Sequence, residues 1–226
     1  VAAGFVVAID GPAGSGKSTT AKLCARRLGF LHLDTGAMYR AITLNALDTN
    51  TRIDRPAELG RMLRSTRIDL EWRAGRMRVR LDGRDVSRAI RAPQVSDFVS
   101  EVSAIPAVRR KLVAEQRRAA AERSVVCEGR DIGSVVFPDA GLKVYLDCAV
   151  DARAGRRLKE LGTAGRSAAA VRANLVKRDR IDSGRKMSPL VRTPDAVLVD
   201  TTDLTIEEQV AVVCDLARRR LARQGR

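Results

Sequence analysis

Residues 11–18 read Gly-Pro-Ala-Gly-Ser-Gly-Lys-Ser and satisfy G-x-x-x-x-G-K-[ST] in full. The chemistry of that spacing is phosphate binding. Consecutive backbone N–H groups must face inward around an anion, and glycines permit both the dihedrals and the close approach. Lys17 is placed to reach the β- and γ-phosphates of a nucleotide, and the Ser18 hydroxyl can ligate Mg²⁺. The segment predicts an ATP or GTP site. A GTPase would carry a guanine-reading N-K-x-D segment, and none occurs in the sequence. A motor or helicase would be longer and would end a strand on acidic residues. Val144-Tyr145-Leu146-Asp147 is the nearest match, and there Asp147 stands alone. A compact kinase fits better.

Three further groups could serve an acceptor. Leu33-Asp34-Thr35-Gly36-Ala37-Met38-Tyr39-Arg40 places Asp, Thr, Tyr and Arg where a strand passes into a helix, with Thr35 as the expected N-cap. Glu128-Gly129-Arg130-Asp131-Ile132-Gly133 follows a strand, where open α/β sheets bind ligands. Residues 151–192 hold 12 Lys+Arg against four Asp+Glu, a surplus of eight. Within them Arg153, Arg156 and Arg157 lie on the helix entering a proposed lid, and Arg178, Asp182 and Arg185 near the helix leaving it. The spacing of Arg178 and Asp182 puts both on one helical face. Phosphoryl transfer depends on positioning and charge stabilisation in a site that excludes water, and arginines on a closing segment can supply these.

The elements that must hold these groups follow from pattern. Phe5–Ile9 is a near-continuous apolar run suited to a strand buried on both faces. An amphipathic helix is expected from about Ser18 to Leu28, a strand at Phe30–Leu33, and a helix at Thr35–Leu47. Residues 68–81 alternate with period two about a Gly-containing turn, which predicts a half-exposed hairpin, with a second turn at Asp82-Gly83. A helix over about 107–122 and strands at 124–127, 143–146 and 196–199 follow, with helix, loop, helix over 151–192. A terminal helix spans 207–223. About five apolar strands alternating with helices imply an α/β fold, an open parallel sheet covered on both faces. The antiparallel hairpin reads as an insertion.

Composition narrows the chemistry. The 226 residues carry 42 Lys+Arg, 27 Asp+Glu and one histidine, a net charge of +15. A His-rich metal site is excluded, and Ser-His-Asp catalysis would depend wholly on His32. Cys24, Cys127, Cys148 and Cys214 are far apart and form no CxxC, so they read as small buried hydrophobes of a reducing compartment. No apolar run approaches the roughly 18 residues of a spanning helix. The first ten residues lack a basic n-region and run into the phosphate loop, unlike a signal peptide. A cytoplasmic protein is expected. A strongly basic surface suits nucleic acid, an anionic membrane or phosphorylated small molecules. Only seven aromatic residues argue against single-strand binding. Over half of the surplus charge falls in residues 151–192, which favours phosphorylated substrates. Arg218, Arg219, Arg220, Arg223 and Arg226 read as a solvated helix end.

GPAGSGKST, LDTGAMYR, EGRDIGSVVFPDA and KRDRIDSGRKMSPL, in this order, resemble the bacterial cytidylate kinases, a branch of the nucleoside monophosphate kinases. The resemblance runs from Phe5 to about Leu221. It implies a P-loop α/β/α fold with a five-stranded parallel sheet, an inserted antiparallel NMP-binding subdomain and a short lid. The core would take 1–35, 89–157 and 171–226, the NMP-binding region about 36–110 with its hairpin insertion at 61–88, and the lid about 158–170. The implied reaction moves the γ-phosphoryl group of ATP to CMP or dCMP. Gly11, Pro12, Ala13, Gly14, Ser15, Gly16, Lys17, Ser18 and Thr19 would wrap the ATP phosphates, with Arg156 and Arg157 from the lid side. Asp34, Thr35, Tyr39, Arg40, Ser100, Arg109, Gly129, Arg130, Asp131, Arg178, Asp182 and Arg185 would bind CMP. Among them Ser100, Arg109 and Asp131 would read cytosine and Asp182 would hold the ribose. Lys17, Arg130, Arg178 and Arg185 would serve catalysis, and Ser18 would hold Mg²⁺. The expected state is a monomer without nucleic-acid or membrane partners. Two alternatives stay open: a kinase for another small acceptor, such as shikimate or a nucleoside, and a nucleic-acid-dependent NTPase. Arg40, Arg130 and Arg185 favour an acceptor that already bears phosphate.

Overall fold

The computed structural model describes residues 4–73, 75–161 and 167–224. They fall into two units, one of residues 1–32 with 122–226 and the other of residues 33–121.

In the first unit, strands β1 (Val6–Asp10), β2 (Leu31–Asp34, which runs into the second unit), β6 (Val125–Glu128), β7 (Leu142–Asp147) and β8 (Val197–Asp200) form a five-stranded sheet in the order β2-β6-β1-β7-β8. The strands β6 and β7 lie parallel on either side of β1, and β8 lies parallel to β7. Val7 and Ile9 of β1 pack with Val126, Val144 and Leu146 against Ala21, Cys24 and Ala25 of helix α1 (Lys17–Leu28) and Val210, Val213 and Cys214 of helix α8 (Ile206–Gln224). Alternation then turns Ala8 and Asp10 to the opposite face, where both are also buried. That is why β1 reads as an unbroken apolar run ending in a carboxylate. A capping box opens α8: Thr205 Oγ1 accepts from the Glu208 amide while Glu208 Oε2 accepts from the Thr205 amide. Helices α6 (Val150–Leu161) and α7 (Ala168–Gly184) pack as a hairpin around Ala154, Val171 and Leu175. The expected lid turn at 162–166 lies outside the described residues.

The second unit holds α2 (Thr35–Asp48), α3 (Pro56–Ser65), α4 (Pro93–Ser103) and α5 (Pro106–Ala120), with a three-stranded antiparallel sheet of β3 (Ile68–Arg73), β4 (Arg76–Leu81) and β5 (Arg84–Asp85). The expected hairpin is present with Ile68 opposite Leu81, Leu70 opposite Val79 and Trp72 opposite Met77. Asp82 and Gly83 both take positive φ (50° and 83°), which suits the second two-residue turn. Proline occupies the first turn of α3, α4 and α5, where its missing N–H costs nothing. All four cysteines are free and buried, as their spacing implied. Among the described residues no helix is long and apolar enough to cross a membrane.

Candidate active site

The phosphate loop joins β1 to α1. Gly11 takes φ 148°, and a Cβ there would sit 2.1 Å from the Leu146 carbonyl oxygen. Gly16 takes φ 90°, with its hypothetical Cβ 2.6 Å from Gln209 Oε1, so neither position admits a side chain. The first turn of α1 has no side-chain cap and no acidic residue, which leaves its amides available to an anion. Lys17 is buried and folds back on the loop, donating to the Pro12 carbonyl at 2.5 Å and to Ser15 Oγ at 3.2 Å. Burial, with the nearby Arg130 charge, holds its ammonium well below the usual lysine range.

The acid at the carboxyl end of a strand beside this loop is Glu128. The Ser18 hydroxyl donates to Glu128 Oε2 at 2.5 Å, and His32 Nε2 lies 3.0 Å from Glu128 Oε1. Asp147, the nearest sequence match to such an acid, instead accepts the Cys148 amide in a turn. Asp10 supports the next loop: its two oxygens accept the Ile132 and Gly133 amides, both at 2.8 Å. Burial raises its pKa to about 6 against the lowering effect of those two amides.

Beyond Glu128 a buried chain of alternating charge connects the Gly129-Arg130-Asp131 loop to α7. Arg130 Nε donates to Asp182 Oδ2 at 2.8 Å, and Arg185 lies 3.8 Å from Asp182 and 3.6 Å from Asp131. Burial opposes the Arg130 charge, but Asp182 more than offsets it and raises the pKa. Arg178 differs. Its Nε is buried and has no hydrogen-bond partner among the described residues, and burial together with Arg130 lowers its pKa to about 10. A buried guanidinium Nε without a partner, on an arginine beside Arg130 and Lys17, is an arrangement that an anion completes.

The arginines of α6 divide. Arg153 is buried and donates to the Ala13 carbonyl at 3.0 Å, the Cys148 carbonyl at 2.9 Å and Asp179 Oδ2 at 2.6 Å. Arg156 spreads over the turn after β8 and donates to the carbonyls of Thr201, Thr202 and Leu204. Arg157 pairs with Glu160 at 2.8 Å on the surface.

The second unit assembles its own set. Asp34, not Thr35, caps α2: Asp34 Oδ1 accepts the Ala37 amide at 2.9 Å, and Thr35 is the first helical residue. Both residue types can cap, but Asp34 holds the extended backbone the position needs. Asp34 Oδ2 also takes Arg91 Nη2 at 2.7 Å. Arg40 donates to Ser96 Oγ at 2.8 Å and to the Ile90 carbonyl. The Arg109 guanidinium lies over the Tyr39 ring, 5.4 Å from its centroid, and donates to the Ser103 carbonyl. Ser103 Oγ in turn donates to the carbonyl of Ser100, so Tyr39, Ser100 and Arg109 share one buried corner of α2, α4 and α5.

The family model described as cytidylate kinase matches residues 7–219. The chain belongs to the cytidylate kinase family. It is 50% identical over 212 residues to the cytidylate kinase of Desulfitobacterium hafniense, covering 93% of this chain and 91% of that protein. The cytidylate kinase of Carboxydothermus hydrogenoformans is 44% identical over 216 residues, covering 95% and 97%. An uncharacterized protein from Eubacterium ventriosum shares the fold alone, at TM-score 0.54 and 11% identity, with 94% of this chain and 97% of that one covered.

Within this member of the family, four site-building residues stand outside the expected set of site residues. Glu128 opens the EGRDIG segment and has the signature sought at Asp147, an acid ending a buried strand. Asp179 lies inside the KRDRID segment and Asp10 ends the first apolar run, and each offers only a carboxylate beside residues with expected roles. Arg153 was legible as a lid-side arginine, but not as a ligand of the Ala13 carbonyl.

Proposed function

We propose that the chain transfers the γ-phosphoryl group of ATP to CMP or dCMP, releasing ADP and CDP or dCDP. Membership of the cytidylate kinase family over nearly the whole chain carries the reading. The buried, unmatched Arg178 Nε supports it, because such a group calls for an anionic ligand.

Residues 11–19 wrap the ATP phosphates, the free amides of the loop and of the N-terminus of α1 donate to them, and Lys17 turns from Pro12 and Ser15 onto them. In the acceptor set, Asp131 offers an acceptor to the N4 amino group of cytosine, and Arg109 and Ser100 offer donors to O2 and N3. Asp182 holds the ribose hydroxyls. Thr35, Tyr39, Arg40, Gly129, Arg130 and Arg185 bind the rest of the nucleotide, and Asp34 fixes the start of α2. The attacking atom is a CMP phosphate oxygen, ionised at neutral pH, so no general base is required. His32, occupied by Glu128, is not asked to be one. Arg130, Arg178 and Arg185 neutralise the charge that spreads over the transferring group.

Ser18 and Glu128 fit the ion that accompanies ATP: a hydroxyl and a carboxylate in contact are hard oxygen donors of the kind Mg²⁺ takes. Held by these two side chains, Mg²⁺ would supply positive charge to offset that of the ATP phosphates. We assign residues about 36–110 as the NMP-binding region and residues about 158–170, at the junction of α6 and α7, as the lid. The enzyme is read as a cytoplasmic monomer acting on free nucleotides.

Incubation with γ-labelled ATP and CMP tests the reaction. Label in CDP, absent when CMP is omitted, is expected; label released as inorganic phosphate whether or not CMP is present contradicts it.

A further inference from the structure

The tip of the phosphate loop is held by residues that no phosphate-binding motif includes. Asp179 Oδ1 accepts the Ala13 amide at 3.3 Å, and Asp179 Oδ2 pairs with Arg153 at 2.6 Å. The same Arg153 Nη1 donates to the Ala13 carbonyl at 3.0 Å, so both backbone polar groups of Ala13 are taken by one ion pair. The Arg153 Nε anchors on the Cys148 carbonyl at 2.9 Å, which fixes the guanidinium from behind. The methyl group of Ala13 completes the grip. It packs with Ala154 of α6 and with Val171 and Leu175 of α7, in a small apolar cluster separate from the sheet core. A Cβ on Gly14 would lie 3.2 Å from the Arg153 Cβ, so the loop runs close against α6.

Asp179 sits one residue after Arg178 and three before Asp182 on α7. One turn of this helix therefore carries the unmatched arginine, the carboxylate that grips the phosphate loop, and the carboxylate that binds Arg130. We infer that Asp179, with Arg153, is a positioning residue that sets the distance between the donor phosphates and Arg178 by clasping Ala13. The inference rests on the phosphoryl-transfer reading of this site and adds a function to a pair that the reading does not use. The clasp needs both partners. A loop amide in water is free to turn, whereas an amide and carbonyl held by a partly buried ion pair keep the neighbouring N–H groups aimed at an anion before it arrives.

The test compares the full chain with Asp179→Ala and Asp179→Asn. ATP affinity is read by titration calorimetry without acceptor, KM for each substrate by ADP release, and folding by thermal unfolding. Asp179→Ala should weaken ATP binding and raise KM for ATP roughly tenfold, the usual scale for losing one charge-assisted hydrogen bond. KM for CMP should stay within about twofold, and kcat should fall. Asp179→Asn keeps an acceptor for the Ala13 amide but loses the negative charge that pairs with Arg153, so it should lie between wild type and Asp179→Ala. It also serves if the alanine variant folds poorly. A melting point that drops while ATP affinity and KM for ATP stay at wild-type values would overturn the inference, as would equal rises in both KM values. Because ATP binding is measured without CMP, a wild-type chain that fails to phosphorylate CMP would contradict the proposed function and leave the clasp to be judged on the affinity ratio.

Discussion

Arg178 and Asp10 are buried ionisable groups with opposite needs. The Arg178 Nε has no hydrogen-bond partner among the described residues, and in the proposed function substrate phosphate would supply one. Arg178→Ala should therefore fold normally and lose about a hundredfold or more in kcat, with Arg178→Lys intermediate because a lysine cannot present a fork to two oxygens. Steady-state kinetics beside a melting curve checks this. Asp10 has its partners in the Ile132 and Gly133 amides, yet burial still raises its pKa to about 6 from 3.8. The folded chain thus holds the Asp10 proton more tightly than the unfolded chain. Its contribution to stability is fully present below about pH 4 and declines as pH rises through about 6. A displacement of this size corresponds to roughly 3 kcal/mol. Other carboxylates, Asp54, Asp85, Asp195, Asp200 and Glu208, shift downward and work against this trend, so the measurement is the difference in unfolding free energy between wild type and Asp10→Asn. That difference should move against wild type between pH 4 and 6 and level off above 7. A difference flat across pH 4–7 would contradict the assignment.

At the scale of elements, α2 shows how one carboxylate sets both a helix and a site. Asp34 caps α2 through Oδ1, while its second oxygen meets Arg91, a mostly exposed arginine whose pairing adds little. Asp34→Ala should cost about 1 kcal/mol through the lost cap, and Asp34→Asn much less, since asparagine caps as well as aspartate. Chemical denaturation of both variants gives the ratio. Much of this scale was legible in the sequence. β1, α1, the 68–81 hairpin and the late strands announce themselves by apolar period and turn chemistry, which are local properties. Helices α3 and α4 carried readable signals as well, Pro56 and Pro93 at their starts and Leu59-Met62-Leu63 or Val95-Val99-Val102 on one face. Both are short, and the charged residues around them dilute that signal. What no local pattern encodes is which distant backbone group a buried charge will meet. Asp10 meets amides 122 and 123 residues away, and Arg156 meets carbonyls 45 to 48 residues away. The Arg156 contacts tie α6 to the β8–α8 turn, a pairing that the arginine spacing of α6 does not encode.

For the molecule as a whole, the +15 charge divides into two kinds. Arg130, Arg153 and Arg185 are largely withdrawn from solvent and paired within the site, while Arg67, Arg78, Arg157, Arg172 and Arg218 stand in more exposed surface pairs. Surface pairs of this kind contribute little each and are screened by salt. A protein that used its charge to track nucleic acid would show ATP hydrolysis stimulated by RNA or DNA and a steep loss of binding with salt. Here neither is expected: added single- or double-stranded nucleic acid should leave ATP turnover unchanged. The identity of the acceptor is reached most directly by one measurement. ADP release should be followed with AMP, CMP, dCMP, UMP and GMP at matched concentrations, giving kcat/KM for each. Turnover concentrated on CMP and dCMP is the predicted result. Turnover of AMP or GMP with none on CMP would contradict the account.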